Sequence, residues 1–226
     1  MKIIDLTHKI DETTLNFRGN IGCQFKTIWD YEKCTSKTKF KVQSIDISCG
    51  LGTHIDSPAH CFQNKKTVSE IAREFIYETV IIDCRNYCKE SLGISFQNIK
   101  TYIEQNNLSI KNKFIILKTG WSSKWGTKEY HNNYQVPHIA DPKETAEYFL
   151  KETIVGLAID TLSPDKITFD SDGYFPMHEM LLSKDVFIIE NIGNLEKINQ
   201  NECTCIIAPL NIITTESPIR LIALLK

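Results

Sequence analysis

The sequence has no run of lysine or arginine, no apolar stretch long enough to cross a membrane, no C-x-x-C pair and no internal repeat or low-complexity tract. Each absence removes a class of protein. With 26 basic against 28 acidic residues and a formal net charge of -2, the chain lacks the clustered positive charge that phosphate backbones require, so nucleic acid is excluded as an expected partner. A membrane span needs about 20 consecutive apolar residues, so no membrane association is expected. The opening M-K-I-I-D-L-T-H-K-I puts Asp5 and His8 where a signal peptide would carry its apolar core. The expected location is therefore cytoplasmic, and in that reducing setting the eight cysteines read as thiols rather than disulfides. Cys84 and Cys88, and Cys203 and Cys205, lack the spacing of structural zinc pairs. The latter two fall on one face of an apolar strand pattern, which suits packing. No linker divides the chain, and 42% hydrophobic content can build a core, so one domain over residues 1–226 is expected.

What is present alternates between strand and helix patterns. Lys2 to Leu6, Thr79 to Asp83, Lys113 to Lys118, Ile154 to Asp160, Val186 to Ile189, Thr204 to Leu210 and Ile219 to Leu225 are short apolar runs that read as strands. From Phe40 an alternating pattern changes phase before Ile45, Ile47 and Cys49, which predicts a bulged strand leading into the next segment. Helices are predicted over Thr67 to Phe75, over Ser95 to Asn106 on the spacing of Phe96, Ile99 and Ile103, and from Asp141 to about Glu152. In the last of these Asp141 is placed as an N-cap, with Pro142 at the first position and Glu144 capping back. The pattern defines an α/β chain.

The stretch Cys49 to Cys61, C-G-L-G-T-H-I-D-S-P-A-H-C, carries ligand chemistry on a short tether. If His54 to Asp56 is extended, the imidazole and the carboxylate project to one face and can reach one cation. These are donors that zinc, manganese and iron accept. The competing reading is a surface hydrogen-bonded pair. Further along, Glu190 ends an otherwise apolar strand. A carboxylate there is costly to bury unless paired or metal-bound.

These residues resemble the signature H-x-G-T-H-x-D-x-P-x-H of the cyclase family of metal-dependent hydrolases, which includes bacterial kynurenine formamidases and isatin hydrolases. Gly52, Thr53, His54, Asp56, Pro58 and His60 match it in place. The I-I-D-L-T-H opening, Thr119-Gly120-Trp121 and Asp160-Thr161-Leu162-Ser163 are also similar to family segments. The resemblance implies a single domain with a mixed, partly barrel-like central β-sheet flanked by helices, of the swivelling β/α/β type. It implies a centre of one or two zinc or manganese ions held by His54, Asp56, His178 and Glu190, with Asp56 bridging if two bind. His60 and Glu190 are then the candidates for moving protons, and Trp121 and Phe17 for contacting a small-molecule substrate. A homodimer or homotetramer is also implied.

One position departs: Gly50 stands where the family has a metal-binding histidine. Cys49 is a poor substitute, because neighbouring strand residues face opposite ways. Two functions of different class follow. The first is a hydrolase that opens a formamide or lactam C–N bond with water. The second is a small-molecule-binding protein on the same scaffold, catalytically weak or inactive.

Overall fold

The computed structural model describes residues 1–71, 74–131, 134–168 and 173–225. Its main sheet has eight strands, in the order Lys2–Asp5, Glu216–Leu225, Glu202–Pro209, Ile76–Asp83, Phe114–Lys118, Gly156–Ile159, Phe187–Glu190 and His54–Asp56. His54–Asp56 pairs back onto Glu216–Pro218, which closes the last seven into a barrel-like ring. The four strands from Ile76–Asp83 to Phe187–Glu190 are mutually parallel, and the remaining pairings are antiparallel. The fold is therefore the mixed, barrel-like α/β architecture expected.

Central parallel strands are covered on both faces, which is why Phe114–Lys118 is buried at every position and reads as an unbroken apolar run. Alternation sends Phe114 and Ile116 into one cluster with Ile55, Ile189 and Leu221, and Ile115 and Leu117 into another with Ile99, Phe149, Met177 and Leu181 from the helices. One cluster fills the ring and the other joins it to the helices. The helix Phe96–Gln105 begins on a capping box, in which Ser95 and Asn98 exchange backbone bonds at 3.1 Å. The helix Pro142–Lys151 starts as predicted but without the predicted cap. Asp141 makes no capping bond to its own helix; its Oδ2 instead accepts the Phe96 N–H at 2.9 Å, tying the two helix starts together. The helix expected from Thr67 spans Val68–Ile71, and Ala72 and Arg73 lie outside the described residues.

The strand before the signature is a second correction. Val42–Ile47 pairs with Cys23–Trp29 as a separate two-stranded sheet, and the register irregularity falls on the partner, between Thr27 and Trp29. The strand ends at Ile47, and a turn through Gly50 and Gly52 carries the chain to His54–Asp56 in the main sheet. Gly52 has φ +66°, a conformation that favours glycine.

Candidate metal centre

Three neighbouring strands build the site. His54–Asp56 lies between Phe187–Glu190 and Glu216–Pro218, with Glu190 opposite His54 and Glu216 opposite Asp56. Ile55 points into the ring cluster, so His54 and Asp56 face outward, toward the helix Pro176–Leu182 that carries His178. The four residues His54, Asp56, His178 and Glu190 are all buried.

The geometry matches an ion cage better than a hydrogen-bond network. His54 Nε2 stands 3.5 Å from Asp56 Oδ1 and 3.5 Å from Glu190 Oε2, while His178 Nε2 stands 3.6 Å from Asp56 Oδ2 and 3.3 Å from Glu190 Oε1. These spacings are long for well-directed hydrogen bonds. Ligand atoms about 2.1 Å from a tetrahedral centre sit about 3.4 Å apart. Both Asp56 oxygens and Glu190 Oε1 are buried without a hydrogen-bond partner, a costly state that a cation relieves. Asp56, His178 and Glu190 form one group whose ligand atoms lie within 4.8 Å of one another, and His54, Asp56 and Glu216 form a second. The donors fit one or two divalent ions, with Asp56 common to both groups.

Each imidazole is set by its other nitrogen. His54 Nδ1 donates to the Gly52 carbonyl at 2.9 Å, so in the neutral ring Nε2 offers its lone pair to the centre. His178 Nδ1 donates to Asp165 Oδ2 at 2.7 Å, the carboxylate–histidine arrangement that fixes a ligating ring. Burial opposes charge on both imidazoles, but the surrounding carboxylates outweigh it. His54 is raised and His178 is raised well above the ordinary 6.5. Burial likewise raises Glu190, helped by the charge on Asp56, whereas Asp56 is held low because His54 and His178 overcome its own burial.

Above the centre lies a cavity of about 480 Å³ whose lining includes Leu15, Phe17, Arg18, Trp125, Leu162 and Phe175 as well as His60. That is the volume and mixed character of a small-molecule site. His60 is partly exposed, its ring centroid 6.0 Å from that of His178 and its Nδ1 3.6 Å from Glu216 Oε2. Phe17 is on the cavity wall. Trp121 is not among the lining residues: its indole N–H donates to the Tyr130 carbonyl at 2.8 Å and the ring is buried. The tryptophan on the wall is Trp125, four residues on, stacked on His8 at 4.1 Å. The signature's Thr53 ties these segments together, accepting from the His8 N–H and donating to the Asn191 carbonyl. Asp160 serves the frame too, accepting from the Thr119, Gly120 and Ser122 backbone N–H groups.

Sequence reasoning missed Glu216, Asp165 and Trp125. Glu216 precedes the apolar run Ile219 to Leu225 and carries no local motif; only the register against Asp56 brings it to the site. Asp165 lies five residues after Asp160 in a loop, and a helix-start carboxylate before Pro176 is recognisable only once the loop closes.

The fold is a closed, mixed α/β barrel, and the site gathers buried His, Asp and Glu residues that could hold a metal ion. The chain belongs to the cyclase family: the "Putative cyclase" model matches residues 4–166. Relatives include an uncharacterised protein of Methanocaldococcus jannaschii, 28% identical over 100% of both chains. Another is the kynurenine formamidase of Bacillus anthracis, 24% identical over 97% of this chain and 95% of its own. An isatin hydrolase solved with the product analogue thioisatinate shares the fold, with a TM-score of 0.83 and 21% identity over 99% of this chain and 92% of that one.

Proposed function

We propose that residues 1–226 act as one metal-dependent hydrolase domain that cleaves the C–N bond of a formamide or lactam, of the kind an N-formylkynurenine-like substrate contains. The observation that carries this is the set of buried, unpartnered oxygens of Asp56 and Glu190, facing two oriented imidazoles beneath a ligand-sized cavity. Kynurenine formamidase and isatin hydrolase among the relatives support the bond type. A divalent ion in this cage, zinc or manganese, supplies charge that polarises an acyl oxygen and brings a water's pKa toward neutrality. The chain's own residues do the rest. His54, Asp56, His178 and Glu190 hold the cage, and the apolar wall of Phe17, Trp125 and Phe175 seats a flat ring and excludes water.

We assign His60, which lines the cavity, the role of taking a proton from the attacking water and returning it to the departing nitrogen, with Glu190 as the second candidate. The proposed location is cytoplasmic, on the sequence reading of the opening segment; among the described residues no helix is long and apolar enough to cross a membrane. Exposed Phe25, Ile28, Trp29 and Ile45 on the separate hairpin support assembly into a homodimer or homotetramer, which light scattering would measure.

Purified without chelator and offered aryl formamides and isatin-type lactams, the protein should hydrolyse at least one. Activity should disappear with a chelator and return with zinc or manganese. Gly50 favours a second reading, a binding protein without turnover. Metal-loaded protein that binds these compounds and hydrolyses none would leave only that reading.

A further inference from the structure

Gly50 and Glu216 occupy each other's space. A Cβ built on Gly50 would collide with Glu216 Oε1 and lie 3.5 Å from His54 Nε2. Position 50 therefore faces the centre, and the volume a side chain there would take is filled by a carboxylate from another strand. The backbone does not demand glycine at 50, since the positive φ of this turn falls on Gly52. Glu216 reaches this place because it is paired directly with Asp56, so the two side chains project from one face. Its ligand atom lies within 4.8 Å of those of His54 and Asp56. Asp56 is buried with both oxygens unpartnered, one toward His54 and the other toward His178.

We infer that Glu216 is a metal ligand that replaces the side chain absent at position 50, so that the chain holds two ions in matched cages. This rests on the reading of the cavity as a metal centre. One cage is His54, Glu216 and Asp56; the other is His178, Glu190 and Asp56. Each has one imidazole and two carboxylates, with Asp56 shared between them. Exchanging an imidazole for a carboxylate at the first cage adds negative charge and a hard oxygen donor. That shifts preference toward manganese or ferrous iron relative to zinc, because selectivity follows donor type. The second oxygen of Glu216 faces His60 Nδ1 at 3.6 Å, so the same side chain links the first cage to the proposed proton-moving residue.

The test is manganese titration of chelator-stripped protein, read by calorimetry and by the spin-coupled electron paramagnetic resonance signal of a paired centre. The parent should bind two ions per chain and show that coupling. Glu216→Gln keeps the shape and removes the charge. It should weaken one ion about tenfold or more, lose the coupled signal and leave the other ion in place. Gly50→His alone should also weaken that ion, since its side chain meets Glu216, while Gly50→His with Glu216→Gly restores two-ion binding with a higher zinc-to-manganese affinity ratio. Melting of the metal-free forms checks that each variant is folded. Two ions bound by Glu216→Gln with parental affinity, or one ion in the parent that this substitution does not touch, would overturn the assignment alone. A parent that binds no metal would overturn the metal-centre reading with it.

Discussion

Asp165 holds His178 from behind: its Oδ2 accepts the His178 Nδ1 proton at 2.7 Å, and the same carboxylate accepts the backbone N–H groups of Met177 at 2.8 Å and His178 at 3.1 Å. One side chain thereby fixes the start of the helix and the direction of its imidazole. The carboxylate is buried, so little else can replace these bonds.

Asp165→Asn keeps the shape but weakens the acceptor toward His178. Partners of this kind are worth about tenfold to hundredfold in metal affinity or activity. We expect metal affinity to fall within that range while the fold survives, with Asp165→Glu recovering little because the longer side chain cannot serve all three donors at once. Chelator competition measures it. Parental affinity in Asp165→Asn would mean that helix packing alone aims His178.

His60→Ala should separate chemistry from binding. The ring is partly exposed on the cavity wall and belongs to neither ligand group, so the variant should keep its metal and lose about a hundredfold or more in turnover, the usual worth of a positioned general acid or base. Metal loss in step with activity would make His60 a ligand.

Of the four candidate ligands, His54, Asp56 and Glu190 carry a local sign in the sequence, whereas His178 is reached only through the family resemblance. Two sit on one short extended segment, and Glu190 stands out as a charge closing an apolar run. Glu216 has no such sign, because its role depends on a strand register set by a pairing 160 residues apart, Glu216 with Asp56. Trp121 and Trp125 show the same limit from the other side. Both lie in one turn-rich segment, and only the Tyr130 carbonyl that captures the Trp121 indole decides which ring is left for the cavity. The strand and helix runs were readable wherever apolar spacing was dense, as at Phe114–Lys118. The separate hairpin was not, since alternation in Val42–Ile47 looks the same whether or not the strand joins the main sheet.

His8 gives an acid-stability prediction independent of metal. It stacks on Trp125, with Gly193 so close that a Cβ there would come within 2.8 Å of its ring. Burial lowers its pKa from 6.5 to about 4, more than the Ile192 backbone contact raises it. The folded state keeps this ring neutral while the unfolded chain takes a proton below 6.5, so stability present above that pH is lost as pH falls toward 4. At 1.36 kcal/mol per pKa unit the loss is at most about 3 kcal/mol. His8→Phe retains a ring against Trp125 and removes the titration. Its melting temperature should fall less between pH 7 and pH 4.5 than the parent's, as followed by calorimetry. Identical slopes in the two proteins would place the acid sensitivity elsewhere.

The centre itself should exchange protons for metal. Without an ion, burial opposes charge on His54 and His178, but Asp56, Glu190 and, for His178, Asp165 hold both imidazoles above their ordinary 6.5. Glu190 is also raised, by burial and by the charge on Asp56. An ion needs the Nε2 lone pairs and the carboxylate charges, so binding near neutral pH must expel protons that the metal-free site holds. The sign follows: raising the pH removes the competing protons, so affinity climbs through the neutral range and levels off only above the raised imidazole values. Protons should therefore leave as the ion binds. Calorimetric titration with manganese in two buffers of different ionisation enthalpy reads their number directly. Heats that do not depend on the buffer would show that the imidazoles are already neutral before the ion arrives, and the carboxylates around them would then not carry the charge assigned to them here.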